Sequence, residues 1–191
     1  MASGRRSSVF LAGMALLVTS AVLHAQDLTR VRGMIGAFDG KVLSVKDAGG
    51  TVKIQVQEKT EITFLQPIAL SDIKPGDFLG VTSMKRPDGA LTAVDVRRFP
   101  KPLNPGHRPF EGRDDQTMTN ATVAATVQST TGRELTMTYQ GGQQKIVVPA
   151  SAAISTQVPG NRSHLVAGAP VNLQMDRDNL AIRIQVGAPP K

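Results

Sequence analysis

The chain has 191 residues, with 22 Lys and Arg against 15 Asp and Glu, a formal net charge of +7, and neither Cys nor Trp. Without cysteine it has no disulfide scaffold, thiolate zinc site, iron–sulfur cluster or cysteine nucleophile. At 19% charged and 40% hydrophobic residues it is neither a polyelectrolyte nor a membrane bundle, and its basic side chains are scattered among acids, which argues against nucleic acid as a partner.

Residues 1–25 read MASGRRSSVFLAGMALLVTSAVLHA: a basic head with Arg5 and Arg6, an apolar run from Val9 to Leu23, and small Ala25. This is the pattern of a secretory signal peptide cleaved after Ala25, and its apolar part is shorter than the roughly 20 residues that a spanning helix needs. The Phe10-Leu11 pair sits late for the twin-arginine route, so the general secretory route is favoured. The expected location is the periplasm or outside the cell. No later apolar run reaches 18 residues, so the mature chain is expected not to be an integral membrane protein.

From Arg30 the sequence reads as strands. VRGMIGAF alternates loosely, Asp39-Gly40 is a hairpin signal, and VLSVK and TVKIQV are β-branched runs separated by Gly49-Gly50. A short strand at Glu61–Phe64 follows, then LQPIALSDI, where a helical turn or capped loop is expected. The IKPGD turn comes next, then a strand at Phe78–Ser83, the turn Pro87-Asp88-Gly89, and a last strand at Leu91–Arg98.

Sliding the chain on itself reveals the same module again at an offset of 92. Val31, Ile35, Gly40, Leu43, Val45, Ile54 and Val56 fall on Val123, Val127, Gly132, Leu135, Met137, Ile146 and Val148. Ile62, Ile73, Gly76, Leu79 and Val81 fall on Ile154, Leu165, Gly168, Val171 and Leu173, and the spacing shortens by two where Asp88-Gly89 meets Asp178-Asn179. A period of this size fits a duplicated domain rather than a solenoid unit.

The expected fold is therefore all-β: two tandem small β-barrel domains of the oligonucleotide/oligosaccharide-binding (OB) type, residues 26–98 and 118–187, with a pair of open sandwiches as the rival. Residues 99–117, FPKPLNPGHRPFEGRDDQT, with four Pro and two Gly, read as a charged interdomain linker. Residues 188–191 read as a tail.

The run VRGMIGAFDGKVLSVKDAGGTVKIQV, Thr60-Glu61-Ile62, the turn IKPGDFLGVTS and DGALTAVDVRRFP resemble the bacterial domain of unknown function 5666. The resemblance covers roughly residues 30–100 well and residues 120–187 as a degenerate copy, in which Lys74-Pro75-Gly76-Asp77 becomes Val166-Ala167-Gly168-Ala169. It implies a compact β-barrel domain in exported bacterial proteins, with no established chemistry. Chains similar to this one sometimes carry a metal-transport permease label, which does not fit a mature part without a spanning segment.

No sequence signature of a catalytic site is present: no Gly-x-Ser-x-Gly elbow, His-Glu-x-x-His helix or Walker loop. The Lys74–Asp77 turn is explained by turn chemistry, Pro fixing φ, Gly supplying the unusual angle and Asp binding amides. Charge concentrates in the linker, where His107 with Glu111, Asp114 or Asp115 forms a candidate metal set, although solvated linker charge explains the same residues. Five mature methionines lack a Met-x-Met cluster and read as core or scatter. The sequence thus predicts an exported, non-enzymatic binding or structural module with no cofactor. Its partner is an unknown envelope protein or polymer, and Arg97, Arg98, His107 and Arg108 form the expected polar rim. The alternative is a periplasmic metal-handling accessory associated with metal transport.

Overall fold

The computed structural model describes residues 28–129 and 132–190; residues 1–25, where a signal peptide is expected, lie outside them. The protein is all-β, with two short 3₁₀ turns and thirteen strands in one mixed sheet among the described residues. The first copy supplies β1 (Thr29–Phe38), β2 (Val42–Asp47), β3 (Gly50–Gln55), β4 (Glu61–Pro67), β5 (Phe78–Lys85) and β6 (Leu91–Phe99). The helical turn expected within LQPIALSDI is the 3₁₀ turn Leu70–Asp72. The second copy supplies β8 (Arg113–Ser129), β9 (Gly132–Tyr139), β10 (Gly142–Val148), β11 (Ala153–Pro159), β12 (Pro170–Met175) and β13 (Ala181–Gly187).

The turn residues do what their chemistry dictates. Gly40 adopts φ 96° while the Asp39 carboxylate accepts from Lys41 N at 2.9 Å and Val42 N at 2.7 Å, which closes the β1–β2 hairpin. Those two amides, Val42 first, hold the Asp39 carboxyl below its usual range. Along the strands, burial alternates: Leu43 and Val45 on β2 are inside while Ser44 between them is not.

The segment 99–117 departs from the expected linker. Gly106–Phe110 forms β7, which pairs with β8. Glu111 and Gly112 turn the chain with φ 54° and 72°, the paired positive angles of a tight two-residue hairpin. Pro109 is tolerated because β7 lies off the main path of the sheet, with its ladder on β8 alone, so the missing N–H faces the open edge.

Each packed core takes strands from both copies. Core one joins Ile35, Leu43 and Ile54 of the first copy to Leu173, Ile184 and Val186 of the second. Its strands run β3-β2-β1-β12-β13, and a parallel bridge from Gln55 to Leu180 returns β3 to the end of that series. Core two joins Leu79, Val81 and Val96 to Leu135, Met137 and Ile146. Its strands run β10-β9-β8-β5-β6, and β10 pairs back onto β6 through Ile146–Leu91 and Val147–Thr92. Core two is thus continuous in sequence, and core one is assembled from the two ends of the chain around it.

Strands β4 and β11 connect the two cores. They pair antiparallel with each other, β4 runs parallel to β13, and β11 runs parallel to β6. Leu65 pairs with Gln157, its own counterpart 92 residues on, so an approximate two-fold axis passes between them.

The registers refine the repeat. Ile35 faces Val45 and Val123 faces Met137, so Val123 occupies the place of Ile35, while Val127, matched to it by the 92-residue offset, is 55% exposed. Likewise Val81 faces Val96 and Leu173 faces Ile184. The outer strands β1/β8 and β6/β13 therefore repeat at 88. In consequence the β8–β9 and β5–β6 hairpins, both in core two, are four residues longer than their counterparts, where the sequence match had suggested no difference for β8–β9 and a difference of two for β5–β6. No helix among the described residues is long and apolar enough to cross a membrane.

Candidate functional site

The IKPGD turn begins the site. Ile73 is buried in core two, Gly76 takes φ 94°, and Asp77 Oδ2 accepts from Lys74 N at 2.9 Å, the turn chemistry expected of this sequence. Backbone bonds from Gly76 N to Val123 O at 2.9 Å and from Val123 N to Asp77 O at 2.8 Å fix the turn to β8. The Asp77 carboxylate is thereby held beside Arg98, with Oδ2 3.7 Å from Nη1.

Arg98, the penultimate residue of β6, has three neighbours. Its Nη1 donates to Asp72 O at 3.1 Å, its Nε donates to Thr156 Oγ1 at 3.3 Å, and the Asp77 carboxylate lies alongside. Its Nη2 has no partner among the described residues, and the side chain keeps 31% of its exposure. The guanidinium is oriented without being used up.

These residues line an open cleft of about 700 Å³. One wall is Gly76–Phe78 with Thr122, a second is Arg98–Pro102, and the third is Thr156–Pro159 of β11. The wall at Arg98–Pro102 is rigid for local reasons. A Cβ on Gly80 would lie 2.6 Å from Phe99 Cε2 and 2.9 Å from Asn120 Oδ1, so only glycine lets the Phe99 ring lie on β5. Asn120, buried between β5 and β7, donates through Nδ2 to the carbonyls of Leu103 at 2.9 Å and Asn104 at 3.2 Å.

The two-fold axis supplies a counterpart to each wall, and there the chemistry is gone. Ala169 stands for Asp77, Val186 for Arg98 and Phe64 for Thr156; Ala169 and Val186 are fully buried. The Phe64 ring packs against core one and lies 4.4 Å from the ring of His164. The same ladders therefore form with or without the polar set.

The residues expected to form one rim are dispersed. Arg97 points to the opposite face from Arg98, as successive strand residues must. Its Nε lies 2.7 Å from Asp95 Oδ2 but is misaligned for a hydrogen bond, so the contact is an ion pair only. Its Nη1 donates to Gln185 Oε1 at 2.8 Å, and Gln185 is its own counterpart across the axis. Burial pushes the Asp95 carboxyl above its usual range, against the pull of Arg97. His107 on β7 bonds Thr119 Oγ1 through Nδ1 at 2.8 Å, and burial lowers its pKa. Arg108 donates to Asn104 O at 3.2 Å. Neither His107 nor Arg108 lines the cleft.

The candidate metal residues are also apart in their contacts. Glu111 pairs with Arg32 of β1, Asp115 takes a two-point contact from Arg113 at 2.9 and 3.1 Å, and Asp114 is exposed beside it. The Arg113 hydrogen bond holds Asp115 below the usual carboxylate range. Among the described residues no three His, Asp or Glu side chains come together as a ligand set.

Sequence reasoning treated Asp77 as a turn residue and did not single out Thr156, Gln157, Phe99 or Lys101. A usable signal was present: KPGD in one copy against VAGA in the other, Arg98 against Val186, and Thr156 against Phe64. Comparison of the chain with protein-family models, curated proteins and solved structures finds no match.

Proposed function

We propose that this protein is an exported, non-catalytic binding module of the bacterial envelope. It is built from two OB-like barrels, the second nested within the first, and takes its ligand in the cleft beside the two-fold axis. The closed circuits of pairing around core one and core two support the barrel reading. The basic and apolar pattern of residues 1–25 and the resemblance to the domain of unknown function 5666 support export.

The observation that carries the binding reading is the one-sided cleft. Asp77, Arg98 and Thr156 surround one side of the axis, while Ala169, Val186 and Phe64 form the other. A polar group that the fold needs should be needed in both halves; here one half folds without it. Conserved sheet geometry with divergent chemistry is the arrangement of a binding site set on a rigid scaffold.

The test is site-directed photocrosslinking in envelope preparations, with the photoreactive residue at Gln157 or Lys101 and, as control, at Val127. A discrete adduct formed from the cleft positions, absent from Val127 and lost in the double variant Asp77→Ala, Arg98→Val, is the expected result. Equal labelling from all three positions would remove the cleft from the argument.

A further inference from the structure

We propose that the cleft binds an extended acidic peptide through a carboxylate seated on Arg98; this rests on the cleft being the ligand face. The guanidinium is already aimed by Asp72 O and Thr156 Oγ1 and still has Nη2 without a partner among the described residues. A carboxylate accepts charge-assisted hydrogen bonds from the N–H groups that Nη2 still offers, and an arginine oriented in advance loses less entropy on binding.

Charge selects the ligand. Arg98 and Lys101 are the cations of the cleft wall and Asp77 is its anion, which leaves a single positive excess. A phosphate dianion set on Arg98 meets the Asp77 carboxylate within the same contact shell, 3.7 Å from Nη1, and is repelled. A carboxylate brings one charge, and the peptide N–H groups beside it can donate to Asp77. The ligand satisfies both members of the pair.

Shape selects an extended chain over a free acid. The open cleft has a volume of about 700 Å³, room for more than a free acid. Phe99, Pro100, Pro102, Val158 and Pro159 offer apolar contact beyond the charged end. Rigid aromatic and proline surface favours a ligand with side chains to lay on it.

The experiment is selection of a displayed library of random peptides on the full mature chain, followed by affinity measurement of the selected peptides. Enrichment in Asp and Glu is expected, with affinity falling about tenfold or more in Arg98→Val, a loss of at least about 1.4 kcal/mol. Val is the residue the other half carries at this position, so the backbone tolerates it, and an unchanged melting temperature verifies that. Lys101→Glu, on the exposed lip, should weaken the same peptides without touching the Arg98 contacts. Selected peptides without acidic residues, or acidic ones that bind Arg98→Val as well as the parent, overturn the proposal. If they do so while cleft crosslinking persists, the cleft remains the ligand face and only the acidic class is lost. If crosslinking from Gln157 and Lys101 also fails, both readings fall.

Discussion

Core one and core two receive the same ration of strands, three from one copy and two from the other, and differ in what has been added to them. Core two has the longer β5–β6 and β8–β9 hairpins, the extra strand β7, and two of the three cleft walls. Its interior is also more polar at one end: Thr119 and Ser83 occupy the places that Val31 and Met175 hold in core one, and Ser83 Oγ and Thr117 Oγ1 are buried with no hydrogen-bond partner among the described residues. Core one is plainer and better satisfied. One half is thus close to a minimal sheet and the other carries the added chemistry, so each half serves as a control for the other.

The sharpest way to break the comparison is to weaken one core at a time. Leu43 and Leu135 are counterparts, both fully buried, and truncation of either to Ala should cost about 2–5 kcal/mol. The consequences should differ in reach. Leu43→Ala should raise amide exchange in β1–β3, β12 and β13 only. Leu135→Ala should raise it throughout, because core two is the chain segment between β1–β3 and β12–β13, and its unfolding lengthens the loop that the β1–β12 pairing must close. Exchange confined to the mutated core in both variants would show that the halves are independent.

A smaller effect separates β5 from β12. Gly80→Ala places a methyl against Phe99 and Asn120 and should cost about 1–3 kcal/mol by overpacking. Its counterpart Asn172 is only partly buried, and Asn172→Gly should cost under about 1 kcal/mol. Urea melts of the two variants give the difference directly; equal costs would mean that the tight Phe99 packing is not specific to this half.

The smallest expected effect is electrostatic. Asp95 has Arg183 as its counterpart, and burial raises the Asp95 pKa above 3.8. A carboxyl whose folded pKa is raised destabilises the fold when ionised. The penalty is present above the folded pKa and relieved as pH falls through it toward 3.8. Asp95→Asn should therefore help most near neutrality, and the gap in melting temperature between variant and parent should shrink in acid. A gap that widens in acid reverses the sign and removes the argument.

Strand type and the repeat were readable in the sequence because Leu43/Leu135, Ile54/Ile146 and Val81/Leu173 keep both spacing and burial. The outer strands were misaligned, β1 and β8 by four and β6 and β13 by two, because the turn residues Gly40 with Gly132 and Asp88-Gly89 with Asp178-Asn179 dominate the match, whereas hairpin length sets the register. The exchange of partners left no trace. β12 and β5 carry the same apolar pattern, so either suits β1, and only the three-dimensional pairing of Val31 with Leu173 decides. The cleft was half visible: Arg98 stood out as a charge, but grouping it with Arg97 ignored the alternation of a strand, and Thr156 and Gln157 come from β11, far along the chain.

The nesting of the cores has a consequence for the order in which the protein acquires its structure. All strands of core two lie between Phe78 and Val148, so a growing or refolding chain can complete it from local hairpins. β1 emerges first yet pairs with β12, Thr29 against Met175, and must wait until nearly the whole chain is present. Distant pairing of this kind is slow. The first strands synthesised are the last to be secured, and during that interval the exposed edge of β1 is where the chain is most open to a chaperone or to another copy of itself.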